Sequence, residues 1–230
     1  MAAEQMKTAF RAAKILSRFP YVKGLAISGS LSKNYSTKKT DIDFFIITTA
    51  NRLWIARTLM HLYKKFTFIT GRQDWFCMNY YVDEAGLEIE EKNIYTAIEI
   101  ATLLPMQGGM SIGQFMIANA WTKKYLPLYH KNDQCLPEIK KGWFSKLIEM
   151  AFNNRMGEGL DNLFMKITDM RWKKKVQRNK KNDKGFNIGM KVSKHFSKPN
   201  PVFFQDKILE MYADKINKLP QIEPAMVKAD

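Results

Sequence analysis

Apolar residues in this chain follow a strand period in some stretches and a helix period in others, and that pattern sets the expected elements. Met6, Phe10, Ala13 and Leu16 fall three or four apart within Glu4 to Phe19, the spacing of one helical face, and Pro20 closes the segment. Gly24 to Ser30 and Thr40 to Thr48, read as GLAISGS and TDIDFFIIT, are short apolar runs that predict the first two strands. Leu31 to Lys39 is the polar loop between them. Asn51 to Phe66 sets Leu53, Ala56, Leu59, Met60 and Tyr63 on one stripe, which predicts a helix packed on the sheet with Asn51 as its N-cap. Trp75 to Val82, WFCMNYYV, predicts a third strand, and Leu87 to Glu91 returns from the turn at Asp83 to Gly86 as the second half of a hairpin.

Beyond that point the period is helical. Ile94, Ala97, Ile98 and Ala101 mark Asn93 to Leu104, Pro105 stops it, and Ile112 to Tyr125 resumes. A longer pattern runs from Trp143 to Met170, with a kink or split expected at Gly157-Glu158-Gly159. After Pro199-Asn200-Pro201, Val202, Leu209, Tyr212 and Ile216 mark a last helix. The expected fold class is α+β: a mixed sheet with packed helices in residues 1–100, then an all-helical, basic domain in residues 101–230. No internal repeat is visible.

At 230 residues and 46% hydrophobic content, the chain can bury one large core or two small ones. Its net charge of +15 is uneven: residues 1–100 hold 14 Lys and Arg against 10 Asp and Glu, and residues 101–230 hold 23 against 12. The steepest excess is Arg171 to Lys198, with 11 basic residues against Asp183 alone and with Trp172, Phe186, His195 and Phe196 interleaved. Such a run, led by Arg171, Lys173, Lys174 and Lys175, suits RNA or another anionic partner, and a solvated or disordered connector has the same composition. Cys77 and Cys135 form no metal-ligand pair and are expected to be reduced thiols. No apolar run is long enough to span a membrane and no secretory core opens the chain, so a cytoplasmic protein without an integral membrane segment is expected.

The candidate chemistry lies in GLAISGSLSKNYSTKKTDIDFFIIT, Gly24 to Thr48. Alternation along a strand points Asp41 and Asp43 to one face while Ile42 and Phe44 enter a core. Two like charges about 7 Å apart gain nothing by facing each other unless solvent or a cation lies between them. Mg²⁺ is suited to that place, because it takes one or two carboxylates plus the oxygens of a substrate phosphate. Gly29 allows close backbone approach to a phosphate, and Ser30 offers a hydroxyl or N–H to its oxygens. Lys33 is placed to meet a phosphate too, though Lys33, Lys38 and Lys39 read equally as solvated loop charges.

Gly-Ser, ten residues, then Asp-Ile-Asp between apolar runs resembles the signature of the nucleotidyltransferase superfamily typified by DNA polymerase beta. The likeness covers roughly the first hundred residues and is close over Gly24 to Thr48. It implies a nucleoside triphosphate substrate, Mg²⁺ or Mn²⁺ held by Asp41 and Asp43, and Gly29 and Ser30 on the β and γ phosphates. It further implies attack of an acceptor oxygen or nitrogen on the α-phosphorus with release of pyrophosphate. A third carboxylate on the neighbouring strand is part of the pattern, and WFCMNYYV departs from it: its only interior polar amide is Asn79, which cannot act as a base. Glu88, framed by Leu87 and Ile89, is the preferred substitute; Asp74 and Glu90 are the others, and Glu88 and Glu90 also read as the wet face of an edge strand.

The remaining signals are weaker. MQGGMSIG, Met106 to Gly113, lacks the Gly-Lys-Ser or Gly-Lys-Thr ending of a phosphate-binding loop and reads as an inter-helix connection. His61, His130 and His195 have no second ligand at metal spacing. The expected function is a metal-dependent nucleotidyltransferase, the alternatives being a non-catalytic nucleotide- or RNA-binding module on the same fold, or a protein that docks on a membrane surface through its basic half.

Overall fold

The computed structural model describes residues 2–36, 41–69, 71, 75–129, 136–178, 190–199 and 204–218. Its centre is a pair of antiparallel strands, β1 (Val22–Ile27) and β2 (Asp43–Thr48), joined through a one-turn helix α2 (Gly29–Ser32). Every residue of β2 after Asp43 is buried, so both faces of the strand are covered and the run reads as continuously apolar rather than alternating. On its other side β2 is parallel to β3 (Cys77–Asp83), Asp43 pairing with Cys77 and Thr48 with Asp83. A parallel neighbour needs a crossover, and α3 (Leu53–Thr67) provides it.

Helices cover the two faces. On one, Leu25, Ile27, Phe44 and Ile46 meet α1 (Ala2–Leu16), whose Ala9, Ala12 and Ala13 let it approach closely, and Trp54 and Met60 of α3. On the other, Ala26, Phe45, Ile47 and Val82 meet Ile100 of α4 (Ile94–Ala101) and Phe115 of α5 (Gly109–Ala118). By alternation Asp43 belongs to the α4 face with Phe45 and Ile47. After a 3₁₀ turn (Ala120–Lys124), α6 (Trp143–Phe152) and α7 (Arg155–Gln177) pack Ile148, Leu160 and Phe164 against Tyr21 and the Ile55–Ala56 turn of α3.

The sheet does not stop near residue 100. β4 (Leu104–Gln107), β5 (Met190–Val192) and β6 (Phe196–Pro199) join it in the order β4-β1-β2-β3-β6-β5, so residues 101–230 are not all-helical and one mixed sheet crosses the expected division. Two signals hid these strands. Pro105 reads as a helix stop, yet proline is tolerated in an edge strand such as β4. The lysines between Met190 and Val192 and beside Ser197 made β5 and β6 read as basic run rather than strand. α8 (Phe204–Asn217) is the last described helix.

Leu87 to Glu91 is not a strand. It is an open loop held by the buried side chain of Asn119, which accepts from Ile89 N (2.9 Å) and donates to the Leu87 carbonyl (2.8 Å), taking the place of a pairing backbone. MQGGMSIG begins inside strand β4 and runs into α5, and therefore joins a strand to a helix rather than two helices. Gly108 is required there: φ is +80°, and a Cβ would meet the Lys23 carbonyl oxygen at 2.0 Å. Asn51 does not cap α3; its own N–H goes to Asp83 Oδ2 (2.8 Å), and Asp161 of α7 accepts from Ile55 N (2.8 Å) in the first turn.

The long helical pattern breaks earlier than the glycines suggest, between Phe152 and Arg155. Asn154 caps α7 by accepting from Gly157 N (3.0 Å), while Arg52 donates to the Phe152 and Asn154 carbonyls and satisfies the exposed end of α6. Gly157 lies inside α7, where a Cβ would strike the Phe152 carbonyl, so the glycine permits the tight corner without splitting the helix.

Candidate functional site

β1 ends at Ile27, and Ser28 continues its ladder by donating N–H to the Asp43 carbonyl (2.9 Å). The chain then turns at Gly29 with φ +69°, a conformation that favours glycine. A Cβ at Gly29 would lie 2.4 Å from Asp43 Oδ2, which puts the Gly-Ser turn directly against the Asp43 carboxylate. The turn is closed by Ser32 Oγ on the Gly29 carbonyl (2.8 Å) and by the N–H groups of Lys33 and Tyr35 on the Ser30 carbonyl (both 3.0 Å). Ser28 Oγ is buried beside it with no hydrogen-bond partner.

Across residues 41–44 the pattern is exposed, buried, half-buried, buried, as alternation requires when Ile42 and Phe44 anchor the strand. Lys33 Nζ donates to the Gly29 carbonyl (3.2 Å) and to Glu99 Oε1 of α4 (2.8 Å), tying the turn to that helix. Tyr95, one turn before Glu99, has its hydroxyl pushed up to about 12 by burial first and then by Glu99 and Asp43. Gly29, Lys33, Asp43, Tyr95 and Glu99 thus share one corner of the sheet. Sequence reasoning missed Tyr95 and Glu99, whose signal was their i, i+4 spacing on the polar side of a helix otherwise rich in Ile and Ala.

The residue in register with Asp43 on β3 is Cys77, not Asn79. A register shift between Phe44 and Phe45 leaves Asn79 as the extra residue of a bulge. Burial, followed by the Asp43 carboxylate that it hydrogen-bonds, pushes the Cys77 thiol far up, so it stays neutral. Glu88 is exposed and ion-paired with Lys92 (2.5 Å), in the loop that leaves β3 at Asp83, which pairs with the opposite end of β2 from Asp43. Glu90 is exposed in the same loop, and Asp74 lies outside the described residues.

Arg171, Lys173, Lys174 and Lys175 are exposed on the last turns of α7, with Lys173 paired to Asp169 (2.7 Å) and Lys175 Nζ 4.5 Å from the Trp172 ring centre. Residues 179–189 of the basic run lie outside the described residues. Its end is engaged internally: Lys191 and Lys198 pair with Glu91, and Lys194 with Glu158. The His61 ring lies tilted beside Tyr81, centroids 6.2 Å apart, and its imidazole is pushed down to about 3 by burial and then by Arg57, Lys64, Lys65 and Lys175. His195 Nδ1 lies 3.0 Å from both oxygens of buried Asp83, and His130 and Cys135 lie outside the described residues.

Among the described residues no group of three or more His, Cys, Asp or Glu could hold a metal, and no helix is long and apolar enough to cross a membrane. Asp41 and Asp43 offer hard carboxylate oxygens, donors that suit Mg²⁺ or Mn²⁺ arriving with a phosphate. Comparison with protein families, with curated proteins and with solved structures finds no match for this chain.

Proposed function

We propose that the protein is a metal-dependent nucleotidyltransferase that moves a nucleoside monophosphate from a nucleoside triphosphate to an acceptor. One observation supports this proposal above others: the Gly29 turn and the Asp43 carboxylate, on either side of a polar loop, lie against each other at the end of a buried strand pair. A turn that only glycine fits, abutting a carboxylate, is a place for a phosphate and the cation that accompanies it.

In this scheme Gly29 and Ser30 hold the β and γ phosphates, and the unpartnered Ser28 hydroxyl is a further donor to them. Lys33 leaves Glu99 for the phosphates, exchanging one anionic partner for another. Asp41 and Asp43 would hold a divalent ion, which would supply neutralisation of phosphate charge. The acceptor's oxygen or nitrogen bonds to the α-phosphorus as the bond to pyrophosphate breaks, and its proton passes to a carboxylate. Glu99, released from Lys33 and sharing Tyr95 with Asp43, is better placed for that proton than Glu88 with its Lys92 partner. The exposed basic end of α7, Arg171 to Lys175, would hold RNA or another anionic acceptor.

Calorimetry with each nucleoside triphosphate, with and without Mg²⁺, tests the scheme. Wild type should bind one of them in a metal-dependent way, and the Asp41→Ala, Asp43→Ala double variant should lose that binding by about 10²-fold or more. Equal binding by the two proteins would overturn it. A second function, a non-catalytic nucleotide- or RNA-binding module, is favoured by the neutral Cys77 at the β3 position beside Asp43; it predicts the same binding without turnover.

A further inference from the structure

α6 presents apolar side chains on two opposite sides, and only one side is covered. On the inner side, Ser145 is buried and donates to the Arg18 carbonyl, Ile148 packs against the Tyr21 cluster, and Glu149 accepts from Tyr21 N (2.6 Å) and pairs with Lys141 (3.2 Å). At 100° per residue Trp143, Leu147 and Met150 fall on the far side, with Phe144 at its border. They are 78, 50, 75 and 55% exposed respectively. Four large apolar groups on one ten-residue helix are a surface, not scattered residues.

Charge decides what that surface fits. Lys140, Lys146 and Arg155 are exposed in the same stretch, Glu149 is turned inward, and the flanking acids are engaged, Glu138 by Met110 N (2.9 Å) and Glu158 by Lys194 (3.0 Å). A second copy docked face to face would bring these cations against their own counterparts, the neighbouring acids being already engaged. An anionic lipid surface meets both demands at once, because it offers an apolar boundary under negative headgroups. Trp and Phe suit that boundary, having an apolar body and, in Trp, a polar N–H.

We propose that α6 docks the protein on anionic membranes. The helix lies in the plane of the interface, with Trp143, Phe144, Leu147 and Met150 among the upper acyl chains and Lys140, Lys146 and Arg155 on the headgroups. A helix about 15 Å long lies on a bilayer and does not cross it. Binding therefore needs both signals, apolar insertion and attraction to negative charge.

The test is flotation of the full chain with vesicles of phosphatidylcholine alone and with about one-third phosphatidylserine. Wild type should float with the anionic vesicles only, and Trp143 emission should shift to the blue. Leu147→Gln with Met150→Gln, both at exposed positions, should cut vesicle partitioning about tenfold or more, as should Lys140→Gln with Lys146→Gln and Arg155→Gln. Lys173→Gln with Lys174→Gln, on the basic end of α7, should leave it within about twofold. The proposal is overturned if the Leu147, Met150 variant floats like wild type, if the α7 variant is the one that fails, or if no vesicle is bound. It is equally overturned if sedimentation shows a dimer that Leu147→Gln and Met150→Gln dissociate, or if an acidic amphipathic peptide and no vesicle shifts Trp143.

Discussion

The two ends of β2 are built from the same residue types and differ in what is left over. At the Thr48 end, buried Asp83 accepts from Asn51 N, from Ala85 N (3.0 Å) and faces His195 Nδ1, while Asp161 holds the first turn of α3. Arg52 spends Nε and both terminal nitrogens on the carbonyls of Phe152, Asn51 and Asn154. At the Asp43 end the carboxylates are partly open, Lys33 and Glu99 hold each other near solvent, and Ser28 Oγ is buried without a partner. The Thr48 end uses its polar side chains mainly to fasten elements together, although Asp161 Oδ2 is also buried without a partner, and the proposed site lies at the other end, where a left-handed glycine abuts the Asp43 carboxylate.

Four substitutions would break or sharpen this contrast. The largest effect is expected from Arg52→Ala, which strands two carbonyl oxygens at the α6–α7 corner and that of Asn51 before α3, and should destabilise the fold by about 2–4 kcal/mol in urea melts. Triphosphate affinity, measured on the protein that remains folded, should hardly change. Gly29→Ala should do the reverse: the added methyl must displace Asp43 Oδ2 in a left-handed backbone, lowering triphosphate affinity about 10- to 100-fold. Retained affinity in that variant would separate the turn from the site.

Asp161 gives a pH-dependent version of the comparison. Burial, only partly offset by the α3 N–H groups and Arg52, pushes its carboxyl up to about 6 from the ordinary 3.8. The folded state therefore binds this proton more tightly than the unfolded state, and the contribution to stability falls as pH rises from about 4 to about 6. Asp161→Asn, which keeps an acceptor for Ile55 N, should be more stable than wild type by about 1–2 kcal/mol at neutral pH, the difference shrinking toward pH 4. A constant difference across that window would assign the effect to packing. The smallest effect belongs to Glu99→Gln, which frees Lys33 from a partly exposed pair and should raise triphosphate affinity by only a few-fold while lowering turnover. Unchanged turnover would remove Glu99 as the proton acceptor.

β1, β2 and α3 were legible in the sequence because their patterns are local: buried runs for the strands, one apolar stripe for the helix. The alternation of Asp41 and Asp43 around Ile42 belongs to that class. The partners were not legible, because they come from elsewhere in the chain. Cys77 rather than Asn79 lies beside Asp43 because of a bulge and a parallel register that no single strand encodes. Asn119 stands in for a strand at Leu87–Ile89, and Asp161 caps a helix a hundred residues upstream. In the same way β5 and β6 were lost in a run whose lysines outnumber its apolar residues.

β6 pairs with β3 on the flank that β2 does not occupy, Tyr81 against Ser197 and Val82 against Phe196. During synthesis β3 is therefore an open edge until more than a hundred further residues have left the ribosome, and for that interval its aromatic run is a template for pairing with other chains. The nascent protein is most prone to aggregation when it is already long, and a chain cut near residue 100, where the composition invites a division, would carry that open edge permanently.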